Sequence, residues 1–172
     1  MDSTKARIAA KLEEAFAEQG FAEPGVDDLR TAAGVSLRTL YKYFPSRSDM
    51  VIGALNNRHA RYVAFLFADL PEDPEAALDT VFDRVGEWMR TRSPTGCMFH
   101  GAVAAHPRNE ALAEMLGRNK KDIAARMAEA GDLPEREDEL LLLHEGLTQG
   151  FTLMRERAVE CAKALAKRLR TD

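Results

Sequence analysis

Residues 26–48, VDDLRTAAGVSLRTLYKYFPSRS, decide how this chain is read, because they spell two short helices around a tight turn. Asp27 and Asp28 stand in the first turn of the first helix, where acids favour the positive end of the helix dipole. Gly34 stops that helix, since glycine readily enters the left-handed conformation in which helices commonly end. Val35 follows as a buried apolar plug, and Ser36 opens the next helix with a hydroxyl that can accept a hydrogen bond from a first-turn amide. Residues 37–44 carry the helix until Pro45 ends it. Leu40 and Phe44 fall at i and i+4 as an inward stripe, which leaves Leu37, Arg38, Tyr41 and Lys42 on other faces. Across residues 29–48 there are four basic residues, Arg30, Arg38, Lys42 and Arg47, and no acid.

Such a face can hold phosphates by charge and hydroxyl while a few side chains reach base edges in a major groove. An ordinary helical hairpin with a solvated basic face accounts for a lone turn equally well, so the flanks decide. Upstream, Ile8, Leu12, Ala15 and Phe16 keep helical spacing, and Gly20-Phe21 reads as a helix end whose next residue folds back. This gives a third helix to cover the hairpin. With it, the first fifty residues resemble the N-terminal domain of the tetracycline-repressor (TetR) family of bacterial transcriptional regulators, through AFAEQGF, VDDLRTAAGVS and TLYKYFPSRSDM in that order.

The resemblance implies that Ser36, Leu37, Arg38, Thr39, Tyr41, Lys42 and Tyr43 sit on or beside a recognition helix. It makes Leu37 and Arg38 the candidates for base contacts, and it directs Thr39, Tyr41, Tyr43 and Arg47 towards the DNA backbone. Two positions depart from the family pattern. Arg30 stands where a small residue is usual, and an arginine cannot be buried there without a partner, so it is expected to point outward, to a phosphate at most. Pro24-Gly25 replaces a Thr or Ser that caps the helix and touches DNA; glycine caps without a hydroxyl.

At 172 residues the chain can bury a substantial core. Its net charge of −4 requires any DNA-binding surface to be local. Cys97 and Cys161 make neither a zinc pattern nor a disulfide framework, which fits a reducing cytoplasm. The N-terminal residues do not read as a signal peptide, and no stretch is long enough to span a membrane, so a cytoplasmic protein without membrane contact is expected. No metal and no cofactor is expected.

The remainder also reads as helical: 46–68, 74–91, 97–105, 109–130, 135–154 and 158–170, with a junction near Arg155-Glu156 that no Gly or Pro marks. The expected fold is all-α, with about nine helices. Residues 1–45 form a helix-turn-helix DNA-binding domain, and 46–172 a helical ligand-binding and dimerisation domain. GCMFHGAVAAHP and ELLLLHEGLTQGF resemble the ligand-binding domain of a TetR subgroup.

In the eighth helix Leu140, Leu143, His144, Leu147, Phe151 and Met154 form one apolar side, and Leu141 and Leu142 a second. A helix apolar on two sides packs against its own domain and something else. The same helix of a second subunit is the expected partner, with Leu141, Leu142, Gly146, Gly150, Ala162, Leu165 and Leu169 at the interface. A two-fold dimer would place two recognition helices about 34 Å apart, or a multiple of that, and predicts double-stranded DNA with an inverted-repeat operator as the partner. Trp88, Met89, Phe99, His100, His144, Leu147 and Phe151 are the candidates to line a pocket for a small-molecule effector, although apolar core is the simpler reading of any one of them.

No Ser-His-Asp order, Gly-rich phosphate loop or HExxH pattern suggests an enzyme, and the many acids alternate with Arg and Lys as a solvated surface does. The function expected is a ligand-responsive regulator, a repressor by analogy, released from its operator by an inducer. The alternative is a helical dimeric interaction or small-molecule-binding protein that does not touch DNA.

Overall fold

The computed structural model describes residues 3–170, and every regular element among them is a helix. These are α1 (Ser3–Gln19), α2 (Val26–Ala33), α3 (Leu37–Tyr43), α4 (Arg47–Phe67), α5 (Pro74–Arg92), α6 (Met98–Ala105), α7 (Glu110–Gly131), α8 (Glu137–Met154) and α9 (Glu156–Arg168). The all-α expectation holds, with boundaries within two residues of those read from sequence. The chain divides into two compact units, Met1–Arg61 with Met98–Ala113, and Tyr62–Cys97 with Glu114–Asp172. The division falls inside α4.

In the first unit Ile8, Leu12 and Phe16 of α1 are buried, as are Leu29 of α2, Leu40 of α3 and Met50 and Leu55 of α4. Gly20 takes φ 75°, and the reversal it permits lays the Phe21 ring on Phe16 at a centroid distance of 4.9 Å. Ser46 starts α4 with a reciprocal cap: its hydroxyl accepts from the Asp49 amide at 3.1 Å, and the Asp49 carboxylate accepts from the Ser46 amide at 2.9 Å.

One acid departs from the solvated-surface reading. Glu13 is only 2% exposed, and Arg58, which pairs with it at 3.2 Å, is 5% exposed. Arg61 at 3.0 Å and the Asn57 amide at 2.6 Å complete the ring of donors around this carboxylate. Within α1, Glu13 stands next to Glu14 and two residues after Lys11. What buries it is the approach of α4, which a pattern within α1 cannot report.

The second unit packs α5 against α8 and α9. Its core includes Leu78, Val81, Phe82, Val85 and Met89 of α5, Ile123 and Met127 of α7, Leu140, Leu147 and Phe151 of α8, and Ala162 and Ala166 of α9. Asp73 caps α5 by accepting from the Ala76 amide at 2.8 Å, and Pro74 fills the first turn, where its missing N–H costs nothing. Along the surface, Glu75–Lys167 at 2.8 Å, Asp83–Lys163 at 2.6 Å and Arg90–Glu156 at 3.1 Å run in opposite chain order on α5 and α9, which makes the two helices antiparallel. Arg155 alone joins α8 to α9. Its amide closes α8 on the Phe151 carbonyl at 3.0 Å, and its own carbonyl accepts from Ala158 at 2.9 Å.

Gly53 is where the first unit tolerates no side chain: a Cβ there would lie 2.2 Å from Cε1 of Phe44, whose ring is buried. Gly53→Ala is therefore expected to destabilise the protein by ~1–3 kcal/mol through overpacking. A thermal melt should fall by roughly 2–4 °C per kcal/mol for a chain of this size. An unchanged midpoint would show that the Phe44 ring has somewhere else to go.

Candidate nucleic-acid interface

The hairpin is built from its caps outward. Gly34 ends α2 at φ 63°, ψ 39°, with its amide on the Thr31 carbonyl at 3.1 Å and the Val35 amide on Arg30 at 3.4 Å. Ser36 then starts α3 in extended backbone; its Oγ accepts from the Thr39 amide at 3.1 Å and lies 2.9 Å from the Thr39 hydroxyl. With Leu40 and Phe44 buried, the geometry of a single helix forces the other side chains out. Leu37 is 43% and Tyr41 41% exposed, and Arg38 and Lys42 are exposed as well. Tyr43 is half-buried, and the Lys42 ammonium stands 5.4 Å from its ring centroid. The outward face of α3 thus carries two cations, a phenol and an apolar side chain, the mixture that can meet phosphates and base edges together.

Arg47 is directed elsewhere. Its guanidinium donates to the Phe21 carbonyl at 2.5 Å and the Pro24 carbonyl at 3.2 Å, and contacts His106 Nε2 at 3.2 Å. Burial, and then the charge of Arg47, lower the His106 pKa, which keeps the ring neutral so that Nε2 accepts from the arginine. Arg47 therefore ties the turn after α1 to the start of α4. The sequence placed it correctly on the first turn of α4 but gave no sign that two carbonyls of a distant turn would claim it. Arg30 lies along α2 with its Nε 3.4 Å from Asp27 and Nη2 3.3 Å from the Thr31 hydroxyl, outward rather than buried. Gly25 caps α2, and its amide donates to the Asp28 carboxylate at 2.9 Å.

The residues expected at a subunit interface fall into three groups by exposure. Leu142 is 72% exposed and Leu165 46%; with Gly146, Met154 and Cys161 they border a shallow groove of about 180 Å³ between α8 and α9. Leu153, 87% exposed, extends this apolar surface and was missed from sequence. Leu141, Gly150 and Leu169 are half-buried. Ala162 is buried in the unit's own core, because the inward stripe of α9 runs through Ala158, Ala162 and Ala166.

The expected pocket residues are likewise divided. Phe99 and His100 belong to the first unit, where the Phe99 ring meets His59 edge-on at 6.4 Å. Trp88, Met89, His144, Leu147 and Phe151 belong to the second, where Met89, Leu147 and Phe151 are core. His144 is 1% exposed, with Nε2 2.9 Å from the Tyr62 hydroxyl and Nδ1 3.5 Å from Glu145, which in turn pairs with Lys120. Tyr62, Glu145 and Lys120 went unnoticed in the sequence, since a polar chain linking three helices leaves no spacing signal in any one of them. Among the described residues no group of three or more His, Cys, Asp and Glu could hold a metal ion, and no helix is long and apolar enough to cross a membrane.

Residues 8–54 match the sequence profile of the bacterial regulatory proteins of the tetR family. Over these residues the chain is similar to the TetR family. No curated protein matches the chain by sequence. Solved structures extend the likeness over its full length. A TetR-family transcriptional regulator from Streptomyces coelicolor superposes with a TM-score of 0.80 at 19% identity, over 96% of this chain and 93% of that one. The multidrug binding protein EbrR, complexed with imidazole, gives 0.76 at 22% identity over 98% and 90% of the two chains. Salmonella enterica GusR gives 0.71 at 20% identity over 100% and 98%. At such identities the likeness is one of fold. The chain thus joins an N-terminal segment similar to the tetR-family regulators to a helical fold shared with these structures.

Glu145 supplies a pH test of the second unit. Burial raises its pKa, but the hydrogen bond from His144 and the charge of Lys120 outweigh this and leave it at about 2. A carboxylate depressed on folding adds stability above its unfolded pKa and loses it as pH falls through the folded one. From the ordinary glutamate value of 4.5 down to about 2, that stabilisation is lost as the pH falls between the two. Urea unfolding of wild type should weaken across that window, whereas Glu145→Gln should be less stable at neutral pH and flatter in acid.

Proposed function

We propose that this protein is a homodimeric, effector-responsive repressor that binds an inverted-repeat operator through α3 and leaves it when a small molecule occupies the helical domain of residues 46–172. The observation that carries the reading is the outward face of α3: Leu37, Arg38, Tyr41 and Lys42 stand free of the core while Leu40 and Phe44 anchor the helix beneath them. Arg38 and Leu37 read base edges; Ser36, Thr39, Tyr41, Lys42 and Tyr43 hold the backbone. Arg47 positions the hairpin through the carbonyls of Phe21 and Pro24. The partner is a second copy, seated on the exposed Leu142, Leu153, Met154 and Leu165 of α8 and α9, because one short helix alone binds DNA weakly and two-fold pairing supplies a second. The setting is the bacterial cytoplasm.

Release is a population shift. An effector that prefers a conformer with wrongly spaced α3 helices lowers DNA affinity, and DNA lowers effector affinity by the same factor. The chemistry requires no catalytic group.

Selection of binding sites from random duplex DNA should return an inverted repeat bound with strong salt dependence. Arg38→Ala should relax the preference at one base pair per half-site, by ~1–3 kcal/mol for a bidentate guanine contact. Tyr43→Phe should weaken all sequences alike. Absence of salt-dependent, sequence-selective binding would overturn the regulator reading. Sedimentation at low micromolar concentration tests the dimer separately: wild type is expected as a dimer and Leu142→Glu as a folded monomer, and a monomeric wild type would overturn this interface.

A further inference from the structure

The second unit holds a cluster that DNA reading does not use. Tyr62 and Phe65 come from the last turns of α4, and Trp88 and Arg92 from α5. The Phe65 and Trp88 rings lie 5.6 Å apart at 46°, and Tyr62 and Trp88 5.0 Å apart at 59°. The Arg92 guanidinium stands over both, 5.1 Å from the Trp88 centroid and 5.8 Å from that of Phe65. Trp88 is 4% exposed while Arg92 is exposed, so the guanidinium is a cover between the indole and water.

Behind the rings, the Tyr62 hydroxyl is 2.9 Å from His144 Nε2, and His144 Nδ1 faces the Glu145 carboxylate at 3.5 Å. Where Nδ1 carries the ring proton towards Glu145, Nε2 accepts from the Tyr62 hydroxyl. A phenol that donates a hydrogen bond is more electron-rich, and its ring face attracts positive charge more strongly. The faces at this place therefore select for a cation, and a flat one with spread charge matches the guanidinium that already lies there.

We propose that the Tyr62–Phe65–Trp88 cluster is a binding site for flat organic cations, with Arg92 as a built-in ligand that such a cation displaces. This rests on the effector reading above and names the effector's chemical class. An anion would meet electron-rich ring faces backed by Glu145; a neutral ring of the same shape would lack the charge needed to compete with Arg92. The arrangement also gives the site a threshold, because an incoming cation must outbid a tethered one.

Trp88 is the only tryptophan in the chain, so its emission reports this site alone. Benzamidinium and its neutral isostere benzamide are titrated into wild type, Arg92→Ala and Phe65→Leu. Benzamidinium should change Trp88 emission saturably and benzamide at least several-fold more weakly. Arg92→Ala should bind benzamidinium about threefold to thirtyfold tighter, the range that a cation–π contact of ~0.5–2 kcal/mol implies, and Phe65→Leu should bind it more weakly. Equal affinity for the two probes, no saturable signal, or no tightening in Arg92→Ala would overturn the site; the exposed position of Arg92 keeps that variant folded. The same titration on the operator complex separates the two readings. Binding at Trp88 without loss of DNA affinity would retain the cation site and sink its role as the effector site. Release of DNA by other compounds with Trp88 silent would do the reverse.

Discussion

A carboxylate almost sealed from water, that of Glu13, fixes how the DNA-binding helices are held. Removing an ion from water costs several kcal/mol, and only a nearly complete set of donors offsets it. Glu13 has that set in Arg58, Arg61 and Asn57, all from consecutive turns of α4. The pairing adds little net stability compared with an apolar contact of equal volume, but it is unforgiving of register: a slip of α1 along α4 by one turn would leave a buried charge alone. Gly53 and Phe44 set the distance between the same elements where Glu13 sets the register, since the aromatic edge occupies the space a methyl would need. Arg47 adds a third tie, to the turn after α1. The outward face of α3 is useful because these three contacts leave the helix beneath it little freedom.

The second unit is held differently. Its core is apolar throughout the α5, α8 and α9 contact, and the ion pairs that line α5 and α9 lie at the surface, where water screens them and they add little. Gly86 lets the helices close up, for a Cβ there would come within 2.6 Å of a Val159 methyl. The exception is the Tyr62–His144–Glu145–Lys120 chain, an investment of polar groups in a place where hydrophobic packing would have served. Such groups persist where a site needs orientation as well as volume.

What the sequence disclosed follows from the range of the forces concerned. Caps and turns are local, so Gly34 and Ser36 were legible one by one. The stripe of Leu40 and Phe44 was legible because a helix converts spacing into direction. The partners of Glu13 and Arg47 were illegible for the opposite reason: they are tens of residues away, and isolated polar residues on a helix look solvated until a second helix covers them. The aromatic cluster was half legible. Trp88 drew notice as an aromatic in an apolar stripe, and Arg92 stands at i+4 from it, but Tyr62 and Phe65 belong to another helix and join the pair only through packing. Met89, Leu147 and Phe151 lie in the buried cluster of the second unit, where most such side chains are found.

Arg155 carries a consequence of its own. With φ 52° and ψ −132° it occupies backbone that glycine favours, at a cost of ~1–3 kcal/mol, yet it serves as the end of α8 and the beginning of α9 at once. A longer linker would let the two helices reorient independently. A single strained residue makes them one bent rod, so the apolar surface they share has its shape before anything docks on it. Little freedom is then surrendered on association, and a modest patch can hold a partner that a looser hairpin of the same composition would let go.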